Sequence, residues 1–357
     1  MSLSIGIIGL PNVGKSTLFK ALTKNPVDIS NYPFCTIEPN VGVVEVPDER
    51  LDKLAKISKS AKVVPAIIKF VDIAGLVKGA NKGEGLGNQF LSHIREVDAI
   101  VQIVRLFKDE KISHVEGNLD VLRDIEIVKT ELILKDLEGV EKRLAKIEKE
   151  AKGQDKEAVR ELEVLEGIKE RLNKGEPIFS YLKEIQDEEK IKIVDSLQLL
   201  SAKPEIYLFN SDNLEIPQDL KDKLEALNAS YLIMNLRDEL DSSELTEQER
   251  EELEMSLPRL GELIKKSYKI LNLITFFTIV GTNETRAWPI EKDKSILKAA
   301  SQIHTDFGEK FIKAEVINWQ KLVEVEAWVQ AREKGLVHIE GKDYIVQDGD
   351  VIEVKHG

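Results

Sequence analysis

Short apolar runs punctuate the start of the chain. Ser4–Ile8, Val41–Val46, Ile67–Asp72 and Ala99–Val104 are rich in Ile and Val and bounded by Gly, Pro or Asp. Between them, Ser16–Thr23 and Gly87–Val97 place apolar residues at helical spacing. Strands that are apolar on both faces must be covered on both faces. The alternation therefore predicts an α/β fold with a mostly parallel sheet under helices.

From about Leu122 the period changes. Ile133, Leu137, Val140, Leu144 and Ile147 recur at heptad-like spacing among Glu and Lys. Gly153-Gln154 breaks the stripe, and Ala158, Leu162, Leu165, Ile168 and Leu172 begin a second one that stops at Gly175-Glu176-Pro177. Two charged amphipathic helices around a Gly-containing turn predict an inserted antiparallel helical coiled coil. Strand patterns resume at Glu205–Phe209 and Ser230–Met234, followed by helical patterns over Ser243–Glu254 and Leu257–Tyr268. After Leu271, Ile274–Val280 and Asp343–Val354 read as strand-rich around a helix at Ser295–His304, the size of a small β-grasp unit. The expected organisation is 1–121 and 178–271 as one α/β domain, 122–177 as the insertion, and 272–357 as a separate C-terminal unit.

Composition narrows the picture. Of 357 residues, 42% are apolar and 32% charged, enough for a core under a well-solvated surface. No apolar run is long enough for a membrane span. The start, MSLSIGIIGLP, has neither a basic region nor an A-x-A-like cleavage site, so it reads as a core strand rather than a leader. The single cysteine, Cys35, makes no internal disulfide and no cysteine metal cluster, and the expected compartment is cytoplasmic. A net charge of -13 argues against bulk coating of nucleic acid. Thr275–Gly357 holds 11 basic against 14 acidic residues, so RNA contact there would need Arg286, Lys310 and Lys313 clustered on one face.

The strongest chemical signal is Gly9-Leu10-Pro11-Asn12-Val13-Gly14-Lys15-Ser16-Thr17, which fits G-x-x-x-x-G-K-[ST] between a buried strand and a helix. Such a loop turns the backbone N–H groups of Val13, Gly14, Lys15, Ser16 and Thr17 toward phosphate oxygens. Lys15 reaches the outer phosphates, and the Ser16 hydroxyl faces Mg²⁺. Val71-Asp72-Ile73-Ala74-Gly75 ends an apolar strand with a carboxylate suited to Mg²⁺, and the Gly75 N–H is placed to sense the γ-phosphate. Thr36, in Asn31-Tyr32-Pro33-Phe34-Cys35-Thr36, is a candidate metal ligand and γ-phosphate sensor, with an ordinary loop threonine as the alternative. Leu76 occupies the place where many GTPases orient water with Gln, which predicts slow intrinsic turnover. Asn12 has two equal readings, a side chain that helps hold a monovalent cation such as K⁺ or one that tightens the loop. His93 reads as a packing or surface residue. Base recognition is expected from Asn210-Ser211-Asp212-Asn213 and from Met234-Asn235. Asn213 both donates and accepts, which weakens guanine selection relative to a carboxylate.

The chain resembles the YchF-type Obg-like ATPases of the translation-factor class of P-loop NTPases, almost end to end. The matching stretches are Gly9–Thr17, Asn31–Asn40, Asp72–Gly87, His114–Gly117 with Arg123-Asp124, Arg286-Ala287-Trp288, Ile303–Phe307, Ala314–Ile317 and Gly341–Asp350. The resemblance implies a G domain, an inserted antiparallel coiled coil and a C-terminal TGS domain. It implies ATP as the preferred nucleotide with GTP admitted, slow hydrolysis and ribosomes as partners. Leu76 agrees with the family's hydrophobic substitution. Two positions depart from it: Asn213 replaces the Glu of N-x-x-E, and Met234-Asn235-Leu236 replaces the usual Ser-Ala or Cys-Ala pair.

The expected function is thus a Mg²⁺-dependent nucleotide hydrolase acting as a slow switch, with Lys15 and Gly75 stabilising the reacting phosphoryl group. A relaxed-specificity GTPase and a nucleotide-gated docking module with incidental hydrolysis are the alternatives. A monomer, RNA contact through the TGS-like unit and no membrane partner complete the expectation.

Overall fold

The computed structural model describes residues 3–24, 27, 32, 38, 40–73, 93–107, 119–151, 155–213, 215–242, 245, 247–252 and 258–357. In chain order its strands are β1 (Ser4–Ile8), β2 (Val41–Glu45), β3 (Lys62–Val64), β4 (Ile67–Asp72), β5 (Ala99–Arg105), β6 (Glu205–Asn210), β7 (Ser230–Met234), β8 (Leu273–Val280), β9 (Glu284–Glu291), β10 (Phe311–Asn318), β11 (His338–Glu340) and β12 (Asp350–His356). They form two six-stranded sheets, ordered β2-β4-β1-β5-β6-β7 and β11-β10-β12-β8-β9-β3.

The first sheet is parallel except at β2, which pairs antiparallel with β4. Every residue of β5 is buried, as a strand between two helical layers requires. Ile5, Ile7, Phe70 and Leu208 share one core with Leu18 and Leu22 of the helix Lys15–Thr23 and with Leu263 and Ile264 of Leu260–Ile270. Each such fully buried aliphatic side chain contributes about 1.5–3 kcal/mol.

Two helices, Val121–Ala151 and Lys156–Asn173, rise between β5 and β6. They run antiparallel: Arg143 meets Glu161, while Lys169 meets Glu141. Val140, Leu144 and Ile147 pack on Leu165, Ile168 and Leu172 along the seam. The second helix starts at Asp155, whose carboxylate accepts from Glu157 N–H at 3.0 Å. The apolar cluster continues past Pro177 into Ile178, Val194 and Leu199, so Ile178–Glu184 and Glu188–Ser196 belong to the same packed body. Asp136 turns inward from the long helix and is 1% exposed. It accepts from the Leu200 and Ser201 N–H groups, both at 2.8 Å, and from Ser201 Oγ at 2.7 Å. This buried carboxylate fastens the insertion to the turn that leads into β6.

The second sheet is mixed. β12 and β8 pair in parallel at its centre, flanked by the antiparallel pairs β8–β9, β10–β12 and β10–β11. One face carries Ile296 and Ala299 over Phe276, Val316 and Ile352. The other face contributes Phe277, Ile317 and Val351 to the core of the first sheet. Its last strand, β3, comes from the chain between β2 and β4 and pairs parallel with β9. The apolar pattern did not single out this strand, because it is three residues long and two of them are exposed. Around this seam Thr285 Oγ1 lies 3.0 Å from Ser58 Oγ and 2.7 Å from Ser60 Oγ. Arg50 bonds Asp48 on its own side, reaches Asp348 at 2.7 Å and lies over the Phe277 ring at 5.3 Å.

Two predictions follow from buried carboxylates. Asp136→Ala leaves two buried N–H groups without their acceptor and should lower stability by about 2–4 kcal/mol, read from the urea midpoint. Glu205, at the start of β6, is pushed up to about 7 by burial, with the Tyr207 hydroxyl and Lys129 opposing the shift. Between its ordinary 4.5 and about 7 the folded chain keeps a proton that the unfolded chain has released. Stability should therefore fall as pH rises through that window and level off above it. Glu205→Gln should flatten this dependence in urea melts run from pH 5 to pH 8.

Candidate functional site

Parallel pairing brings several strand ends to one edge of the first sheet. Ile7 lies opposite Asp72, Arg105 opposite Asn210, and Asn210 opposite Met234. The loop after β1 therefore opens beside the Asp72 carboxylate, with Asn210 on its other flank.

Three residues give this loop its path. Gly9, Asn12 and Gly14 have φ of 148°, 63° and 111°. A Cβ on Gly14 would lie 2.7 Å from Asn210 Nδ2 and 2.9 Å from Leu236 Cδ1, and one on Gly9 would lie 2.6 Å from the Ile103 carbonyl oxygen. Glycine is thus required at both places for conformation and for room. Gly14 also begins the helix Lys15–Thr23, which has no side-chain cap and no acidic residue in its first turn. Neither a cap side chain nor a first-turn carboxylate competes for its leading N–H groups, which suits them to an anion.

Lys15 folds back into the loop. Its Nζ donates to the carbonyls of Gly9 at 3.1 Å and Leu10 at 2.8 Å. Burial lowers its pKa from the ordinary lysine value, and Asp72 partly offsets this. Asp72 is raised by its own burial and held back by Lys15. The two charges are thus neighbours in a partly desolvated site. Ser16 is exposed at the helix start, Thr17 is half-buried, and Asn12 is exposed. Val13 is buried, and its carbonyl accepts from Asn210 Nδ2 at 2.9 Å.

On the base side the side chains have distinct tasks. The Asn210 oxygen accepts from Leu236 N–H at 3.2 Å, so both ends of its amide are used inside the protein. It latches the loop after β1 to the loop after β7. Ser211 is buried; its N–H donates to the Met234 carbonyl at 3.0 Å and its Oγ to the Asn213 carbonyl at 2.6 Å. The Asn213 side chain is exposed. Met234 is fully buried in the core, so its backbone, not its side chain, faces this edge. Asn235 starts the helix Leu236–Ser242 by accepting from Arg237 and Asp238 N–H groups at 3.1 and 3.2 Å. Sequence reasoning named these residues without separating those that hold the turns from those left facing outward.

Thr36, Gly75, Leu76 and His114 lie outside the described residues. His93 is half-buried on a short helical stretch. Asp124, in the first turn of the long inserted helix, is 3% exposed, with the Arg123 guanidinium 3.9 Å away. Tyr32 was missed by sequence reasoning. It is buried, and its hydroxyl donates to the Pro65 carbonyl at 3.0 Å. The available signal was an aromatic residue directly before Pro33 and Phe34.

A glycine-opened turn from a buried parallel strand into an uncapped helix, with lysine inside it and aspartate on the neighbouring strand end, defines a P-loop nucleotide-binding domain. Residues 4–134 match the family described as "50S ribosome-binding GTPase". Residues 273–357 match the YchF-type C-terminal family described as "Protein of unknown function (DUF933)". The "Ribosome-binding ATPase YchF" of Bacillus subtilis is 45% identical, with 99% of each chain covered. That of Escherichia coli O157:H7 is also 45% identical, over 99% of this chain and 98% of its own. The solved structure of the Schizosaccharomyces pombe YchF GTPase superposes with a TM-score of 0.86 at 37% identity, over 99% of this chain and 98% of that one. The chain belongs to the YchF family.

Asn210→Ala removes both bonds of the latch. With net hydrogen bonds worth about 1 kcal/mol each, nucleotide affinity should weaken by up to about 30-fold in calorimetric titrations, with the fold retained by circular dichroism.

Proposed function

We propose that this chain is a Mg²⁺-dependent P-loop nucleotide hydrolase, with ATP preferred and GTP admitted, that works as a slow nucleotide-dependent switch on ribosomes. The observation that carries this reading is the Lys15 ammonium, held by loop carbonyls beneath an uncapped helix start and beside Asp72. Entering phosphates would exchange with those carbonyls as partners of Nζ. The N–H groups of Val13 to Thr17 would spread over the phosphate oxygens and stabilise the charge that grows on them.

The donor set suits Mg²⁺. The Ser16 hydroxyl is exposed at the helix start, Asp72 supplies one carboxylate, and the described residues hold no cluster of three or more His, Cys, Asp or Glu that would favour a metal caged by protein alone. Ser16, Asp72 and Thr36 would hold the ion, which when bound neutralises charge on the outer phosphates. Thr36 and the Gly75 N–H would report the γ-phosphate. Asn12, exposed in the left-handed region, is the residue we assign to K⁺.

Asn213 and the backbone at Met234 and Asn235 line the base side, where no lysine and no carboxylate stand at the guanine-reading positions. Ribosome association is supported by the name carried by the bacterial relatives; we assign the chain to the cytoplasm as a monomer. No described helix is long and apolar enough to cross a membrane. We assign residues 1–121 and 178–271 to the nucleotide domain, with 178–199 packed onto the inserted coiled coil of 122–177, and 272–357 to a TGS-like unit whose RNA contact would not use Arg286. Leu76, in place of a water-orienting Gln, favours a second reading in which docking is the output and hydrolysis is incidental.

Lys15→Ala should reduce single-turnover hydrolysis by about 10²-fold or more, the usual cost of losing one preorganised charge donor. The same reaction run with ATP and with GTP decides the preference. Unchanged turnover in Lys15→Ala and in Asp72→Ala would sink the hydrolase reading. Ribosome binding that differs between ATP- and ADP-loaded protein and is unchanged with a non-hydrolysable ATP analogue would establish the docking reading.

A further inference from the structure

Arg286 is not part of a basic face with Lys310 and Lys313. It sits on β9, which β8 and β12 separate from the β10 strand of Lys313. Its side chain is only 12% exposed, and its guanidinium carbon lies 4.3 Å from the Trp288 ring centroid and 5.4 Å from that of Tyr32. A guanidinium so enclosed by two rings is a joint rather than a nucleic-acid contact.

The two rings belong to different parts of the molecule. Tyr32 precedes Thr36 by four residues in the chain. It packs with Val64 and Ile67, and its hydroxyl is held by Pro65. Trp288 belongs to the C-terminal unit, where it stacks on Phe276 at 6.2 Å with an interplanar angle of 11° and donates to Thr278 Oγ1 at 2.9 Å. Val64 and Arg286 lie opposite each other in the β3–β9 pairing, so the joint sits directly on the seam between the sheets.

We propose that Arg286 is a positioning residue for the nucleotide response: it ties the Tyr32 end of the Thr36 segment to the C-terminal sheet. Triphosphate occupancy and the packing of the C-terminal unit are thereby coupled. The inference rests on the reading of Thr36 as the γ-phosphate sensor. A displacement of Tyr32 must carry Arg286 with it or open the stack. Because such coupling is reciprocal, removing the joint must alter discrimination at the nucleotide site itself.

All three tryptophans, Trp288, Trp319 and Trp328, lie in the C-terminal unit, so its state is read by tryptophan emission alone. The experiment compares the full-length wild type with Arg286→Ala, Arg286→Lys and Thr36→Ala. The probes are ADP and an ATP analogue with a methylene β–γ bridge, in Mg²⁺ buffer. Arg286→Ala should lower the preference for the analogue over ADP about fivefold or more while ADP affinity holds within about twofold. It should also abolish the emission difference between the analogue- and ADP-loaded forms. Arg286→Lys keeps the charge without the planar stack and should fall between the two. An unchanged preference in Arg286→Ala would overturn the proposal, as would an equal loss for both nucleotides with a lowered melting temperature. If Thr36→Ala leaves the preference intact while Arg286→Ala lowers it, the joint stands and the Thr36 reading falls. If Thr36→Ala alone lowers it, the Thr36 reading stands and the joint falls.

Discussion

Parallel pairing of β4, β1, β5, β6 and β7 is the constraint on which the nucleotide end depends. Strands that run the same way finish at the same edge. Residues far apart in the chain, Gly9, Asp72 and Asn210, are therefore gathered without any contact having to search for them. Chain crossovers return over the faces and leave this edge open, so a ligand meets strand ends and helix starts together. The Asn210 amide then finishes what the topology begins, because it bonds the loop after β1 and the loop after β7 at once.

The same constraint explains where the helical insertion sits. A parallel connection must travel the length of the sheet, and the one from β5 to β6 has grown into a packed body with its own apolar cluster. Its base is held by apolar packing of Val128 and Leu132 into the core of the first sheet and by polar bonds beside it. Asp136 gathers three donors at its base, and Lys203 donates to the carbonyls of Arg95 and Val97. Directional bonds fix an angle in a way that a sliding apolar seam does not.

Much of this was legible in the chain because it depends on local periodicity. β1, β4 and β7 begin and end where the apolar runs do, and the heptad-like stripe from Ile133 to Ile147 lines the seam of the hairpin. The phosphate loop was legible because its glycines answer a local steric need. The rest is long-range. Three residues of β3, two of them exposed, carry no pattern of their own and become a strand only because β9 offers an edge. Met234 looked like a base contact from its position at the end of β7, but alternation along that strand turns its side chain into the core. Asn210 and Asn235 read as ligand-facing amides, and only the folded loops show that their bonds run inward or close a helix start. Polar residues are ambiguous in a sequence because their partners decide their task.

The seam between the sheets combines both kinds of interaction, and this decides how the C-terminal unit behaves. Phe277, Ile317 and Val351 share a core with Leu51 and Leu54, so separating the two parts would expose a continuous apolar surface. Arg50 is pinned by Asp48 on one side and Asp348 on the other, and the Thr285 hydroxyl lies against Ser58 and Ser60. An appended domain on a flexible tether would have none of these. The C-terminal sheet instead takes its last strand from the connection between β2 and β4. Asp72 lies at the far end of that β4, and Val41, which opens β2, pairs with Val71 beside it. Force applied at the phosphate edge therefore reaches the second sheet through covalent backbone and a shared core, over the length of one strand.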